Sequence, residues 1–413
     1  MKNKILLAIA DGVGDRPCEI LGWKTPLQYA DTRHLDALAK QGSCGIMDLY
    51  RAGIPVGTDL GHLILFGYGI EDYPGRGPIE AFGDGVELIG GDIAFRCNFA
   101  SVDENGIVTD RRAGRIREGT NQLAQALNGI KIGDVQVLFK EATEHRAVLV
   151  LRGQGLSAAI SDTDPKKEGC PVKKAAARDS SSEAAYTAEI LNQVMEKAHQ
   201  ILKEHPLNKE RMERGLLPAN SILTRGAGRM TRIEKVTEKL GFSGCCVASE
   251  RTVLGVARLA GFDIMTDSAF TGNIDTDIEK KAAFAVEALK NHGFVALHYK
   301  ATDLMGHDNE PLGKVRAIEQ FDKMVGMAAE AVSREIQEPV IIALAADHST
   351  PCERCEHSGD PVPVVISGRN IRRDNVSVYD EIACAEGGLG RIKGEDFNCI
   401  LLDYLEVTVK QGN

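Results

Sequence analysis

Short apolar runs alternate with longer amphipathic segments towards both ends of the chain. Such alternation is typical of strands crossed by helices in an α/β sheet. The apolar runs predict four buried parallel strands, at residues 4–10, 294–298, 339–345 and 363–366. Helical spacing with charged outer faces predicts two covering helices, at residues 277–291 and 314–336.

The middle of the chain has a different pattern. Several short strand-like pieces are followed by a polar stretch and by a long helical pattern at residues 182–203. We interpret residues 91–224 as a cap domain that binds substrate. We expect this cap to be inserted into a metal-binding catalytic domain, which consists of residues 1–90 and 225–413.

Acidic and His side chains follow several of the apolar runs. Asp11 ends the first run, and five further candidates lie near the other end of the chain: Asp303, His307, Asp347, His348 and His357. Open α/β sheets gather functional groups at the carboxyl ends of their strands. The spacing of four places Asp303 and His307 on one face of a helical turn. One such residue alone is more often structural, but the whole set favours a site for two divalent metals.

A candidate nucleophile lies in the segment VGTDLGH, residues 56–62. Thr58 begins a helical pattern there, and the free backbone N–H groups at a helix start stabilise an attached phosphate. A metal bound to the hydroxyl oxygen would make that hydroxyl easier to deprotonate. The structural alternative is that Thr58 only caps the helix. The sequence leaves both roles open.

Arginines of the middle segment have a spacing that suits an anionic substrate. Arg96 lies in an apolar run. A second group, spaced by Gly and Ala, consists of Asp110, Arg111, Arg112 and Arg115. Guanidinium groups grip carboxylate and phosphate oxygens in pairs, so we favour a binding pocket over a solvated charged face. His145 is either a proton donor to a leaving alcohol or a surface side chain beside a strand.

Composition argues against two classes of partner. The chain has 413 residues and a net charge of −10, which opposes the basic surface that nucleic-acid binding needs. No apolar run reaches the roughly 20 residues that span a bilayer. We therefore expect a cytoplasmic protein with neither a nucleic acid nor a membrane as partner. Its state of homo-oligomerisation is left open.

The cysteines are scattered rather than patterned. Ten cysteines in a chain of this size predict buried free thiols, including Cys44, Cys97, Cys245, Cys246 and Cys399. Cys352 and Cys355 form a single CxxC between two candidate metal ligands. Without a second pair at similar spacing, this motif is weak evidence for a zinc ribbon.

Six motifs occur in an order that resembles one known family: ADGVGDRP at residues 10–17, GRGPIEA at 75–81, FRCNFA at 95–100, DRRAGR at 110–115, ISDTDP at 160–165 and DHSTP at 347–351. Over nearly its whole length the chain resembles the archaeal-type, cofactor-independent phosphoglycerate mutases of the alkaline phosphatase superfamily. This resemblance implies an α/β fold, an alkaline-phosphatase-like three-layer sandwich with an inserted α+β cap domain.

The resemblance also implies a ligand set and a reaction. One divalent metal would be held by Asp303, His307 and His357, and the other by Asp11, Thr58, Asp347 and His348. The metals would be Mn²⁺ or Zn²⁺, with Mg²⁺ and Co²⁺ as alternatives. The family reaction interconverts 3- and 2-phosphoglycerate, here through a phosphothreonine at Thr58. The substrate carboxylate and phosphate would be held by Arg96, Arg111, Arg112 and Arg115.

Three positions depart from the family pattern and keep other functions open. The mutases usually have Ser where this chain has Thr58, and they often have His and Lys near the positions of Lys166 and Leu254. The alternative is a related phosphotransferase or phosphohydrolase that acts on another small phosphorylated substrate. This includes the proposed homoserine kinase group, which ranks lower because no Walker-type loop is present. A non-catalytic binding protein is the third hypothesis, and the complete ligand set argues against it.

Overall fold

The structure is a computed structural model that describes residues 3–412. The chain forms two compact units. The first unit contains the residues up to Tyr73 and those from Glu234 onward, and the second unit is Pro74–Ile233. These boundaries differ from the expected ones, after residues 90 and 224. The earlier boundary moves because the helix Arg76–Gly83 packs on strands of the second unit, and the later one moves because the strand Ser221–Arg229 pairs with the strand Ile93–Val102.

The elements before the second unit are β1 (Lys4–Ala10), α1 (Pro26–Tyr29), α2 (Arg33–Gln41), β2 (Gly42–Asp48) and α3 (Thr58–Leu65). The second unit contains α4 (Arg76–Gly83), β3 (Ile93–Val102), β4 (Val108–Asp110), α5 (Thr120–Leu127), β5 (Lys131–Ile132), β6 (Val135–Glu141), β7 (Arg146–Arg152), α6 (Ser182–Glu204), α7 (Pro206–Glu213) and β8 (Ser221–Arg229). The remaining elements are α8 (Val236–Leu240), β9 (Gly244–Val247), α9 (Arg251–Leu259), β10 (Asp263–Met265), α10 (Ile278–Asn291), β11 (Phe294–Tyr299), α11 (Ala301–His307), α12 (Pro311–Glu335), β12 (Val340–Ala345), β13 (Val362–Ser367), β14 (Gly390–Lys393) and α13 (Gly394–Tyr404).

An eight-stranded sheet forms the centre of the first unit, in the order β10-β9-β11-β1-β12-β13-β2-β14. Helices α2, α10 and α12 pack together on one face, whereas α3, α9 and α13 pack together on the other. Because both faces are covered, β1 is buried from Ile5 to Ala10. The predicted three-layer sandwich is confirmed, and the predicted strand at residues 4–10 coincides with β1.

The direction of one predicted strand was wrong. We expected residues 363–366 to form a parallel strand, but β13 is antiparallel to both β12 and β2. The connection from β12 to β13 contains only a short 3-10 helix, Cys352–Arg354. A parallel neighbour needs a long crossover, usually a helix. The apolar run did not reveal the direction because β13 is buried on both faces, as parallel strands are.

The second unit is an antiparallel α+β structure. Its six strands include five that pair in the order β4-β3-β7-β6-β5. The sixth strand, β8, pairs with β3 along the edge opposite β7. Helices α5 and α6 supply apolar side chains to a core that includes Phe95, Leu149 and Leu191. The Ser181 hydroxyl accepts a hydrogen bond from Ala184 N at the start of α6. The predicted α+β insertion is confirmed.

Of the five cysteines that we named as buried thiols, four are buried and one is not. Cys44, Cys97, Cys245 and Cys246 are buried, whereas Cys399 is exposed. The apolar neighbours of Cys399 belong to α13, whose helical period turns them towards the core and turns Cys399 away. Within residues 3–412, no helix combines the length and apolar character needed to cross a membrane.

Candidate metal centre

The candidate ligands of the first unit meet at the carboxyl ends of β1, β11 and β12. Asp11 follows β1 directly, and Asp347 comes two residues after β12 ends. Asp303 and His307 are carried by α11, which begins just after β11. The predicted strand ends therefore bring these side chains to one edge of the sheet, as the topology rule requires.

The set that we call the first centre consists of Asp303, His307 and His357. Asp303 Oδ1 lies 3.4 Å from His307 Nε2 and 3.6 Å from His357 Nε2. The two Nε2 atoms are 3.1 Å apart. Ligand atoms around a tetrahedral metal with bonds of about 2.1 Å lie roughly 3.4 Å from one another. The first centre therefore has the spacing of three ligands around one ion.

The second centre consists of Asp11, Thr58, Asp347 and His348. His348 Nε2 lies 3.3 Å from the Thr58 hydroxyl oxygen, 3.5 Å from Asp11 Oδ1 and 3.2 Å from Asp347 Oδ2. These distances again match the separation of ligands that share an ion. The two centres are adjacent, because the rings of His348 and His357 stack with centroids 3.6 Å apart.

The hydrogen bonds made by the two histidines of the first centre indicate that a cation fits there. His307 Nδ1 lies 2.9 Å from the carbonyl oxygen of Cys355, and His357 Nδ1 lies 2.9 Å from that of Val56. A carbonyl only accepts, so each Nδ1 carries the proton and each Nε2 of a neutral ring presents a lone pair. Two lone pairs and the Asp303 carboxylate thus converge without a proton between them. A metal ion satisfies all three.

Asp303 in the first centre and Asp347 in the second are held in their charged form. Burial alone would raise the pKa of Asp303, but the Lys300 ammonium and then His348 lower it below the ordinary value. Burial likewise opposes ionisation of Asp347, and His348 holds its pKa well below the usual range. Lys300 Nζ lies 3.1 Å from Asp11 Oδ1 and 2.6 Å from Asp303 Oδ2. Lys300 therefore bridges one carboxylate of each centre.

The position of Thr58 differs from that of a helix cap. Thr58 is the first residue of α3, and Gly57 occupies the N-cap position without a side-chain cap bond. The Thr58 hydroxyl faces His348 instead. Gly61, one turn further on, allows α3 to approach closely, because a Cβ atom there would lie 2.4 Å from the carbonyl oxygen of Asp347.

The predicted substrate residues lie in the second unit, and some are partly buried. Arg96 on β3 places Nε 3.3 Å from Glu80 Oε2, and this nitrogen makes no hydrogen bond. Burial lowers the pKa of Arg96 to about 10, and Arg225 and Arg76 add to the lowering. Several guanidinium groups thus surround one carboxylate, which leaves a net positive charge for an anion.

The DRRAGR segment forms a turn after β4. Arg111 makes two hydrogen bonds to Asp164, of 3.0 and 2.6 Å, while Asp110 Oδ1 accepts the backbone N–H of Arg112. Arg112 and Arg115 are exposed, and Arg115 has a positive φ of 54°. A bidentate partner holds Arg111 rigidly, so Asp164 positions it.

His145 lies near this turn and is neutral at neutral pH. Its pKa is lowered to about 4, first by burial and then by the charges of Arg146 and Arg112. Its Nδ1 atom is buried without a hydrogen-bond partner. His145 is therefore not a surface side chain, which was the alternative to a proton donor. A proton-donor role would require a bound anion that offsets the neighbouring arginines.

Comparison with known proteins identifies the family. A family model described as 2,3-bisphosphoglycerate-independent phosphoglycerate mutase matches residues 39–208. The chain is 46% identical, over 100% of its length and 99% of the relative, to the protein of that name from Methanopyrus kandleri. The chain belongs to this family.

Two solved structures have the fold of this phosphoglycerate mutase family member. A Pyrococcus horikoshii protein matches with a TM-score of 0.83 and 37% identity, covering 100% of both chains. The cofactor-independent phosphoglycerate mutase of Thermoplasma acidophilum matches with a TM-score of 0.74 and 35% identity, covering 98% of this chain and 100% of that one. The fold implied by the sequence resemblance is therefore shown.

Sequence reasoning missed three side chains that this family member places in its centres. His62, His298 and Lys300 contact the carboxylates of Asp347 and Asp11. His298 and Lys300 lie in or just after the predicted strand at residues 294–298, so the strand-end rule signals both of them. His62 lies four residues after Thr58 in the segment VGTDLGH, and this spacing, which places both on one face of a helix, is the signal that could have identified it.

Arg225 in the second unit was also passed over. It lies on β8 within the segment RGAGR. The CxxC has a structural position instead of a ligand role. Cys352 is buried in a cluster with Cys18, and the Cys355 carbonyl accepts a hydrogen bond from His307. The ligand groups found within residues 3–412 contain no cysteine.

Proposed function

We propose that this protein interconverts 3- and 2-phosphoglycerate through a phosphothreonine at Thr58, with two divalent metals in the first and second centres. The observation that carries this proposal is the convergence of seven ligand residues at metal-ligand spacing, with the Thr58 hydroxyl 3.3 Å from His348 Nε2. Relatives named 2,3-bisphosphoglycerate-independent phosphoglycerate mutase, 45% and 46% identical over nearly the whole chain, support the same activity.

The chain's own groups divide the work of the proposed reaction. Bound divalent metals supply positive charge that favours the alkoxide of a hydroxyl and stabilises a transferring phosphoryl group. Thr58 loses its hydroxyl proton and attacks the phosphorus of 3-phosphoglycerate. The bond from phosphorus to Thr58 forms as the bond to the 3-oxygen breaks, and the departing glycerate oxygen takes up a proton. After glycerate reorients, its 2-hydroxyl attacks the phosphothreonine and regenerates the Thr58 hydroxyl. The backbone N–H groups at the start of α3 favour the attached phosphate.

The arginines of the second unit are proposed to bind the substrate's anionic groups. Arg96 and Arg225 are partly desolvated, and desolvation strengthens their interaction with an anion. Arg111, held by Asp164, offers a fixed guanidinium, while Arg112 and Arg115 remain exposed. We further propose that the second unit is the substrate-binding cap and that the first is the catalytic domain. His145 is proposed to donate the proton to the leaving alcohol after an anion binds.

Thr58 favours a second candidate, a phosphohydrolase that acts on a small phosphorylated carboxylic acid. The extra methyl group of threonine restricts rotation about χ1. A phosphothreonine that cannot turn towards the 2-hydroxyl would instead be hydrolysed by water. The two candidates share every step up to the phosphoenzyme, and they differ in the acceptor that follows.

Phosphorus NMR separates the two candidates. Purified protein loaded with Mn²⁺ for turnover would be incubated with 3-phosphoglycerate, and then quenched and freed of metal before the spectra are recorded. We expect 2-phosphoglycerate to accumulate without free phosphate. Free phosphate alone would replace the mutase with the phosphohydrolase, and no change in the verified metal-loaded protein would contradict the mutase.

A further inference from the structure

Two fully buried histidines lie behind the carboxylates of the second centre. His298 Nε2 lies 2.9 Å from Asp11 Oδ2, and His62 Nδ1 lies 3.3 Å from Asp347 Oδ2. The two imidazole rings meet edge to face with centroids 5.1 Å apart. Both side chains have no exposed surface. The pair therefore contacts both carboxylates of the second centre from the protein interior.

His62 is also bound to the helix that carries the nucleophile. Its Nδ1 atom lies 2.8 Å from the carbonyl oxygen of Thr58. Because a carbonyl only accepts, Nδ1 carries the proton and donates to Thr58 O, while Asp347 Oδ2 lies 3.3 Å from the same nitrogen. One nitrogen atom thus contacts both the backbone of Thr58 and the carboxylate of Asp347.

The remaining oxygens of the two carboxylates face the second centre. Asp11 Oδ2 accepts from His298, while Oδ1 accepts from Lys300 and lies 3.5 Å from His348 Nε2. Asp347 Oδ1 accepts the backbone N–H of Gly12, which leaves Oδ2 buried without a hydrogen bond of good geometry. His298 therefore holds one oxygen of Asp11 and leaves the other to the second centre, whereas His62 lies against Asp347 Oδ2, the same oxygen that lies 3.2 Å from His348 Nε2.

We propose that His62 and His298 are positioning residues that orient Asp347 and Asp11 towards the second metal. His62 in addition fixes Thr58 at the distance that this metal requires. Hydrogen-bonded partners behind metal ligands typically change metal affinity by about 10- to 100-fold when removed. The inference rests on the proposed function, because it assumes that the second centre binds a divalent metal.

The test is a calorimetric titration of the metal-free protein with Mn²⁺, for the wild type, His62→Leu and His298→Leu. The same titration in a His307→Ala background weakens the first centre, so that the second centre dominates the signal. We expect both Leu variants to weaken the second site by about 10- to 100-fold. The first site should change much less.

Amide replacements distinguish orientation from simple packing. The amide nitrogen of Asn is placed like imidazole Nδ1, and that of Gln is placed like Nε2. We therefore expect His62→Asn, but not His62→Gln, to recover most of the second-site affinity. At the other position the order should reverse, so that His298→Gln recovers the affinity and His298→Asn does not.

His292→Leu is the matched control. His292 Nδ1 lies 2.8 Å from the carbonyl oxygen four residues earlier, Ala288 O, and its Nε2 lies 2.9 Å from Asp263. It repeats the Nδ1 contact of His62 to a carbonyl four residues earlier, at the end of a helix that carries no candidate ligand. Its loss should leave both Mn²⁺ affinities unchanged.

Three results would overturn the inference. The first is an unchanged Mn²⁺ affinity of the second site in both Leu variants, and the second is an equal loss of affinity at both sites that neither Asn nor Gln restores. The third is a third Mn²⁺ bound by the wild type and lost in His62→Leu. The last result would make His62 a ligand. A wild type that binds two Mn²⁺ but does not isomerise 3-phosphoglycerate would remove the proposed function while leaving this inference in place.

Discussion

At the scale of single residues, the hydroxyl oxygen and the methyl group of Thr58 have opposite consequences for the proposed reaction. The hydroxyl lies 3.3 Å from His348 Nε2 among the ligands of the second centre. The methyl group restricts χ1, which a serine at the same position would leave freer. Attack on the substrate phosphorus thus depends on the Thr58 oxygen. Transfer of the phosphoryl group to the 2-hydroxyl of glycerate depends on rotation about χ1.

Replacing Thr58 by Val removes the hydroxyl while keeping the shape of the side chain. We expect no phosphoenzyme and a loss of turnover on the order of 10³-fold or more. Phosphoenzyme formation would be followed by mass spectrometry after an acid quench. Thr58→Ser should keep the phosphoenzyme and alter only the ratio of isomerisation to hydrolysis. Full turnover in the Val variant would exclude Thr58 as the nucleophile.

The pKa of His145 is also set by the immediate surroundings of one side chain. Burial and the neighbouring arginines lower it to about 4, so the free protein has a neutral His145 above pH 5. Bound 3-phosphoglycerate should raise this pKa towards the ordinary value of 6.5, because an anion offsets those arginines. Imidazole NMR resonances titrated from acid to neutral pH measure both values.

The variant Arg112→Ala provides the control for this titration. It removes one of the positive charges that lower the pKa of His145, so the pKa of the free protein should rise while the ligand-induced shift becomes smaller. A free-protein pKa near 6.5 in the wild type would contradict the buried environment of His145.

At the scale of elements, the end of a strand and the start of a helix must be held together for the second centre to form. Helix α3 carries Thr58, and the loop after β12 carries Asp347. Gly61 allows them to approach, since a Cβ atom there would lie 2.4 Å from Asp347 O and 2.9 Å from Asp347 Cβ. Contacts this short require the backbone to move.

Gly61→Ala should therefore separate α3 from the second centre. We expect a loss of about 1–3 kcal/mol in unfolding free energy, together with weaker binding of Mn²⁺ at the second centre. Chemical denaturation and Mn²⁺ titration measure the two effects. Gly90→Ala is the control, because a Cβ atom at Gly90 meets nothing within 4 Å. Equal behaviour of the two variants would show that close approach at Gly61 is unimportant.

At the scale of the whole molecule, three buried carboxylates belong to one site assembled from both ends of the chain. Asp11, Asp303 and Asp347 lie far apart in sequence, and all three are buried. Against the opposing effect of burial, Lys300 and His348 lower the pKa of Asp303, and His348 lowers that of Asp347. Divalent cations would add attraction between the two ends of the chain, so metal binding is coupled to folding of the first unit.

Removing metal should lower the thermal stability of the first unit. An ion at 100 times its dissociation constant stabilises the folded state by about 2.7 kcal/mol per site. Differential scanning calorimetry with and without a chelator should show a lower midpoint for one transition, and Mn²⁺ should restore it. In the Asp303→Asn variant the Mn²⁺ effect should shrink. A midpoint that is independent of metal would argue against both centres.

The sequence by itself determined where the strands end and which kinds of side chain follow them. Apolar runs flanked by polar residues identified β1, β11 and β12, because burial between helical layers demands continuous apolar residues. The Asp and His residues after those runs include six of the seven first-unit side chains that we proposed as ligands, with Thr58 as the exception. Motif order indicated the family, which the full-length relatives then showed.

Only the tertiary structure decided the direction of β13 and the partners of each carboxylate. A strand buried on both faces has the same apolar pattern in either direction, so its direction depends on the connection. His62 and His298 contact Asp347 and Asp11 across long sequence separations. Spacing along the chain fixes neighbours within one helix or strand. Contacts between elements depend on how the elements pack and on where each lone pair and proton points.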